Sequence, residues 1–353
     1  MEWTDIKQQA KERLQGICRL CRICNGLNCA GEIPGIGGVG SGSSFINNYQ
    51  ALLKVRLNLR TLHNVSNPTT EVEILGHKLA LPVLGAAVAG CRINFQGRMS
   101  EEEFCWSQVQ GALAAGTVAL TGDGGHTEIF AAGIKAVQAA KGAAIPIIKP
   151  RPLPDLISRL RQAEEAGAMA VGIDVDAAGL INMRLLGQPV GPLDSGDLEI
   201  ICQSTKLPVI VKGIMTPDEA VMACEAGAQA IVVSNHGGRA LDHTPGTAEV
   251  LPQIAQAVRG RITILADGGV RTGTDVLKFL ALGADAVLVG RPVVWAAFGG
   301  GAEGVQLLYQ KLATELKVAM ILTGCAAPQD AGEHLLAVPS LNQSPLIDTQ
   351  NNN

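Results

Sequence analysis

The nonapeptide SNHGGRALD, residues 234–242, closes an apolar run with an imidazole and a guanidinium three positions apart. An imidazole exchanges protons near neutral pH, and the planar fork of arginine binds both oxygens of a carboxylate. A lone histidine after such a run is ordinarily a satisfied core residue. Here Gly237 and Gly238 follow His236, so the chain can turn sharply and expose the ring beside Arg239. Two further stretches, ADGGVRTG (266–273) and VGRP (289–292), combine bare glycine amides with Arg271 and Arg291. With a helix starting at Gly273, they suit a phosphate group, whether of a substrate or of a cofactor. Lys212 could hold negative charge on a ring or an enolate, or pair with a neighbouring aspartate. A third chemistry lies in CRLCRICNGLNC, where Cys18, Cys21, Cys24 and Cys29 are spaced C-x2-C-x2-C-x4-C. Four thiols this close are metal ligands, for an iron–sulfur cluster in the first instance or for a structural zinc.

Composition narrows the partners. The chain has 353 residues, a formal net charge of -4 and only 3 % aromatic residues, which leaves little for phosphate-backbone attraction or base stacking. No nucleic-acid partner is expected. The apolar run from Leu79 to Cys91 is too short to span a bilayer, and the charged N-terminus MEWTDIKQQAKERLQG lacks a signal-peptide core. A cytoplasmic protein with reduced cysteines is the expectation.

These residues need a scaffold, and a repeat supplies it. ALAAGTVALTGD, AEEAGAMAVGID, ACEAGAQAIVVS and LALGADAVLVGR, beginning at Ala112, Ala163, Ala223 and Leu280, each read as a helix end, a capping glycine and a buried strand. AAIPIIK (143–149), PVIVKGI (208–214) and ITILADGG (262–269) lie between them, and LPVLGAAVA (81–89) makes eight strands. Helical patterns follow at 101–115, 127–141, 153–166, 195–204, 216–226, 247–259, 273–282 and 303–323, with Thr127, Thr216 and Thr274 near helix starts. Continuously apolar strands alternating with helices predict an α/β fold, a (β/α)₈ TIM barrel spanning 81–326. Residues 1–80 are expected to pack on it as an N-terminal helix, the cysteine cluster, a glycine-rich loop and an extended arm. Residues 327–353, ending in SLNQSPLIDTQNNN, are expected to be a partly disordered tail. The strand ends then bring Thr121, Asp123, Lys149, Asp174, Asp176, Lys212, Ser234, His236, Asp267, Gly290 and Arg291 to one mouth. Asp176 is placed to hold the His236 tautomer.

SNHGGRALD, ADGGVRTGTDVLKFLALGADAVLVGRPVVW and ELKVAMILTGC resemble the FMN-dependent 2-hydroxy-acid oxidase/dehydrogenase family, which includes glycolate and lactate oxidases. The likeness is close over about 206–326 and looser over about 46–90. It implies FMN, with Ala86, Ala87, Val88 and Ala89 passing against the ring, Thr121, Lys149, Lys212 and Ser234 around it, and Asp267 and Gly268 by the ribityl chain. Gly269, Arg271, Gly290 and Arg291 would hold the phosphate. His236 would be the base, Asp176 its partner and Arg239 the clamp on a small carboxylate substrate.

The departures fall in the substrate pocket. The family carries two active-site tyrosines, and neither Tyr49 nor Tyr309 stands at a matching position. Lys149, in IPIIKPRP, occupies the place of a glutamine or tyrosine, and only Arg184 offers a second substrate arginine. TGDGGHTE puts Asp123 and His126 near the flavin. The expected activity is oxidation of a lactate- or glycolate-like acid, or a larger one. A flavin-dependent isomerase or tailoring enzyme and a silent FMN- or metal-binding regulator are the alternatives. An electron-acceptor protein and a homo-oligomer, a tetramer by likeness to the family, are the expected partners.

Overall fold

The structure is a computed structural model that describes residues 2–337; SLNQSPLIDTQNNN lies outside the described residues. Eight parallel strands close into a barrel: β1 (Val83–Val88), β2 (Ala119–Thr121), β3 (Ile145–Ile148), β4 (Val171–Asp174), β5 (Val209–Ile214), β6 (Ala230–Val233), β7 (Thr263–Ala266) and β8 (Ala286–Val289). Closure is the pairing of β8 with β1, with Val287 opposite Val83.

The strands are apolar on both faces because each face has its own core. Leu84, Leu120, Ile147, Ile210, Val232, Leu265 and Leu288 fill the barrel interior. Their neighbours Val83, Val171, Val209, Ile231 and Val287 pack outward against the helices. That two-residue alternation leaves only the strand ends for polar chemistry.

Helices follow the strands as expected, with one change of length. The last runs from Arg291 to Thr323, starting well before the expected 303, and breaks at Gly301, where φ is 58°. The capping threonine of Gly273–Ala281 is Thr272, not Thr274: its side chain accepts from the Asp275 amide, and Asp275 returns the bond. His126 rather than Thr127 holds the cap position of Thr127–Ala139.

The arm expected before residue 80 is more structured than its glycine-rich lead suggests. It contains a helix, Ser43–Lys54, and an antiparallel hairpin, Val72–Ile74 with His77–Leu79. The helix buries Phe45, Asn48, Ala51 and Leu52, the spacing of one helical face. Asn48 locks it to the end of β6 by a reciprocal amide pair with Asn235, at 2.7 and 3.1 Å. Ile74 and Leu79 join the interior cluster and close the barrel floor. Part of the segment expected as a tail is ordered: Pro328–Asp330 and Glu333–Leu335 form short turns, and the Asn58 amide donates to Leu335 at 2.8 Å.

Gly273 fixes the phosphate-side helix against the final one. A Cβ there would stand 2.1 Å from the Leu316 amide nitrogen, a backbone contact that cannot yield locally. Gly273→Ala should therefore lower the melting temperature by overpacking, at a cost of about 1–3 kcal/mol. Thermal unfolding by circular dichroism checks this, and an unchanged midpoint would show that the two helices can part freely.

Candidate active site

Two adjacent strands start the site. β4 and β5 are registered so that Asp174 faces Lys212. The Lys212 ammonium donates to Asp174 Oδ1 at 2.8 Å, and Lys149, from the end of β3, donates to Oδ2. Lys212 also stands 3.9 Å from Asp176 Oδ2. His236 completes the row, with Nδ1 2.8 Å from Asp176 Oδ1 and 3.5 Å from Asp174 Oδ1. Cation and carboxylate alternate through a buried layer, so each charge has an opposite neighbour. Removing one would strand another, at a cost of about 3–5 kcal/mol. Asp174, Asp176 and His236 bring ligand atoms within 4.8 Å of one another. The two ammonium groups already neutralise that cluster, so it reads as an ion-pair chain rather than a cation site.

The charges set each other's protonation. Burial would raise the Asp174 carboxyl, but Lys149, Lys212 and His236 outweigh it and hold it well below the usual carboxylate range. Burial would lower Lys212, but Asp174, Asp176 and Asp267 keep it firmly ammonium. Asp267 is pushed up by burial, which Lys212 only partly offsets.

His236 sits in the left-handed region, at φ 59°, and its amide donates to Ser234 Oγ at 3.1 Å. Asp176 holds the proton on Nδ1, which leaves Nε2 for the cavity. Gly238, which closes the turn on the Asn235 carbonyl, packs so closely on the Ser43–Lys54 helix that a Cβ would lie 2.3 Å from the Phe45 nitrogen. Asp176 itself leans on bare backbone at Gly213, where a Cβ would lie 2.7 Å away.

One cavity gathers most of the expected residues. Ala86, Ala87, Val88, Ala89, Lys149, Lys212, His236, Arg239, Asp267, Gly268, Gly269, Arg271, Gly290 and Arg291 all line it. Its arginines are held from outside the barrel, by carbonyls of the N-terminal segment. Arg239 donates to the Gly35 carbonyl and, at 3.1 Å, to Asn94 Oδ1. Arg291 donates to Ile36 at 2.8 Å and to Gly37 at 3.1 Å, with its guanidinium 3.5 Å above the Phe45 ring. Arg271 donates to the Cys24 carbonyl and sulfur, each at 3.3 Å. Neutral carbonyls orient these cations without neutralising them. Burial lowers the Arg239 and Arg291 guanidiniums from their ordinary values, and Arg291 lowers Arg239 further. An incoming anion would relieve that penalty.

Several expected residues are placed otherwise. Thr121 does not line the cavity: its hydroxyl turns outward to Gly133, where a Cβ would stand 2.7 Å from it. Ser234 lies beneath the lining, donating to Asp267 Oδ2 at 2.8 Å. Asp176 stands behind His236, as an orienting partner should. Arg184 is exposed on the short helix Ile181–Leu185 and lines nothing in the cavity, so it supplies no second carboxylate clamp. His126 is also off the cavity, while Asp123 lines it but is bound by Arg151 and Arg159, at 3.1 and 3.2 Å. The helix start at Gly273 is not open for a phosphate, because the Gly273 amide donates to Glu315 at 3.0 Å. Tyr309 is fully buried, and neither tyrosine reaches the lining. Asn94 and Asn182 do reach it, bonded to each other at 3.2 Å. The sequence reading missed both, since neutral amides on the very short helices Cys91–Asn94 and Ile181–Leu185 carry no charge or periodic signal. The four cysteines are free and line a second, smaller cavity that shares Ile36 and Arg291 with the first.

Known proteins resemble this chain in sequence and fold. The profile of FMN-dependent dehydrogenases matches residues 36–187 and 182–338. A 2-hydroxyacid oxidase of Dictyostelium discoideum is 33 % identical over 332 residues, covering 82 % of this chain and 81 % of that protein. An L-lactate oxidase of Nostoc sp. is 33 % identical over 343 residues, covering 84 % and 90 %. Among solved structures, mandelate oxidase with benzoyl-formic acid superposes with a TM-score of 0.76 at 31 % identity, covering 95 % of this chain and 97 % of that one. A mandelate oxidase variant with a C4a-OH-FMN adduct gives 0.74 at 33 %, covering 94 % and 98 %. On the match of family profile, relatives and barrel together, the chain belongs to the FMN-dependent dehydrogenase family.

Proposed function

We propose that this protein uses FMN to oxidise a 2-hydroxy acid to the 2-oxo acid, with His236 as base and Arg239 as carboxylate clamp. The observation that carries the reading is the His236–Asp176 contact of 2.8 Å in a cavity that also presents Arg239 and Lys212. The residues suit the cofactor. Arg271 Nε and Asp267 Oδ1 are buried without partners, a donor at the anion end and an acceptor for a hydroxyl. Ala86 to Ala89 offer a wall of small residues to a flat ring, with Lys212 facing the same space. FMN supplies the two-electron acceptor.

The oxidation removes two electrons and two protons from the substrate's alcohol carbon and hydroxyl. Arg239 fixes the carboxylate and so the carbon next to it. His236 Nε2 receives one proton, Asp176 stabilises the imidazolium that results, and the other hydrogen would leave with the electron pair to bound FMN. Lys212, kept cationic by Asp174, stands ready for negative charge gathered beside it. Asn94, Asn182 and Lys149 line the cavity, which no tyrosine reaches, and this supports a substrate of lactate size or larger.

Four free thiols beside this cavity favour an iron–sulfur cluster over the alternative, a structural zinc. Held by Cys18, Cys21, Cys24 and Cys29, such a cluster would supply a one-electron path from the cavity towards an acceptor protein, in preference to dioxygen. Such ligation fits the reducing cytoplasm, and no helix among the described residues is long and apolar enough to cross a membrane. Likeness to the family supports a homo-oligomer, a tetramer in the first instance.

His236→Asn should keep FMN bound while anaerobic flavin bleaching by a 2-hydroxy acid slows by about 10²–10⁴-fold. Bleaching at the parental rate would remove the imidazole from its assigned role. Arg239→Lys should raise KM about tenfold or more, since a bidentate clamp becomes a point charge. Steady-state kinetics over a substrate series tests this, and an unchanged KM would place the carboxylate elsewhere. Turnover with an artificial one-electron acceptor should exceed oxygen consumption, and the reverse ratio would mark an oxidase.

A further inference from the structure

The four cysteines occupy a built site. Two amide N–H groups point at sulfur: Leu20 N to Cys18 and Asn28 Nδ2 to Cys21, each at 3.4 Å. The Arg271 guanidinium reaches Cys24 Sγ at 3.3 Å. Trp295 Nε1, on a residue 8 % exposed, is buried without a partner in the same cavity and faces Cys18. Neutral thiols accept hydrogen bonds poorly, whereas metal-bound thiolates are commonly supported by such donors. The C-x2-C-x2-C spacing of Cys18, Cys21 and Cys24 resembles ferredoxin-like ligation of an iron–sulfur cluster.

The same short segment carries the carbonyls that hold the cavity's arginines. Cys24 holds Arg271, Gly35 holds Arg239, and Ile36 and Gly37 hold Arg291. The last cysteine is locked to that carbonyl strip. Gly38 donates to the Cys29 carbonyl at 3.2 Å, and a Cβ on Gly37 would lie 2.1 Å from the same oxygen. A group that fixes Cys24 and Cys29 therefore fixes the N-terminal partners of Arg271 and Arg291, whose remaining bonds go to the Val270 carbonyl at 2.8 Å and the Gly237 carbonyl at 3.0 Å.

We propose that an iron–sulfur cluster on Cys18, Cys21, Cys24 and Cys29 positions the arginines of the neighbouring cavity, so that cluster occupancy sets the affinity for the FMN phosphate. The proposal rests on the flavin reading above, but concerns binding rather than turnover. Coupling of this kind is reciprocal, so bound FMN also protects the cluster from loss.

The test uses full-length protein purified without oxygen and assayed for iron and acid-labile sulfide. FMN is removed, and its dissociation constant is measured by fluorescence quenching in cluster-loaded, cluster-stripped and reconstituted protein. Stripping should weaken FMN at least about fivefold, and reconstitution should restore it. Riboflavin, which lacks the phosphate, should lose much less than FMN; equal losses would show general loosening and overturn the proposal. Cys29→Ala, checked for retained fold by circular dichroism, should bind FMN like the stripped protein. Zinc without iron, no metal at all, or an FMN constant indifferent to the cluster would each overturn it. Should no 2-hydroxy acid bleach the flavin while the coupling persists, the activity assignment fails and this one stands.

Discussion

The site depends on a row of buried charges whose signs alternate. Lys149, Asp174, Lys212 and Asp176 come from three strand ends, with His236 from a fourth closing the row, and none of the four charged groups would remain charged alone at that depth. Together they hold Asp174 ionised and Lys212 cationic. The row also fixes direction. Asp176 takes the near face of the imidazole, so the far nitrogen is presented to the cavity with its lone pair free. The barrel makes this possible because parallel register sets Asp174 beside Lys212 without any loop having to choose.

A second layer of control comes from outside the barrel. Residues 24–37 reach over the mouth and hold three arginines by neutral carbonyls. A carboxylate in those positions would have bound the arginines more tightly, and would have competed with any anionic ligand. Carbonyls orient without that competition, which keeps the cavity attractive to a phosphate and to a carboxylate at once.

Much of this was legible in the sequence because chemistry and period coincide at strand ends. His236, Asp176, Lys212 and the two glycine–arginine loops were found as the polar closures of apolar runs. Thr121 shows the limit: a strand's last residue faces inward or outward by its parity, and the end of an apolar run does not reveal which. Arg184 was placed by likeness alone and turned out to be exposed. The Ser43–Lys54 helix was hidden because its start is GIGGVGSGSS, a lead that suggests only a loop. Its one-sided burial was visible only once the 235–246 loop gave that face something to pack on. Asn94 matters through hydrogen-bond geometry, which residue type alone does not announce.

The contacts that complete the mouth are among the most distant in sequence: Arg271 meets Cys24 across 247 positions and Arg291 meets Ile36 across 255. Such pairings form late, since the intervening chain must first be compacted around them. On a ribosome the thiols therefore emerge long before the cations that will face them. Biogenesis must then shelter a naked cysteine quartet for most of translation, and maturation of the binding cleft becomes the last event in making this protein rather than the first.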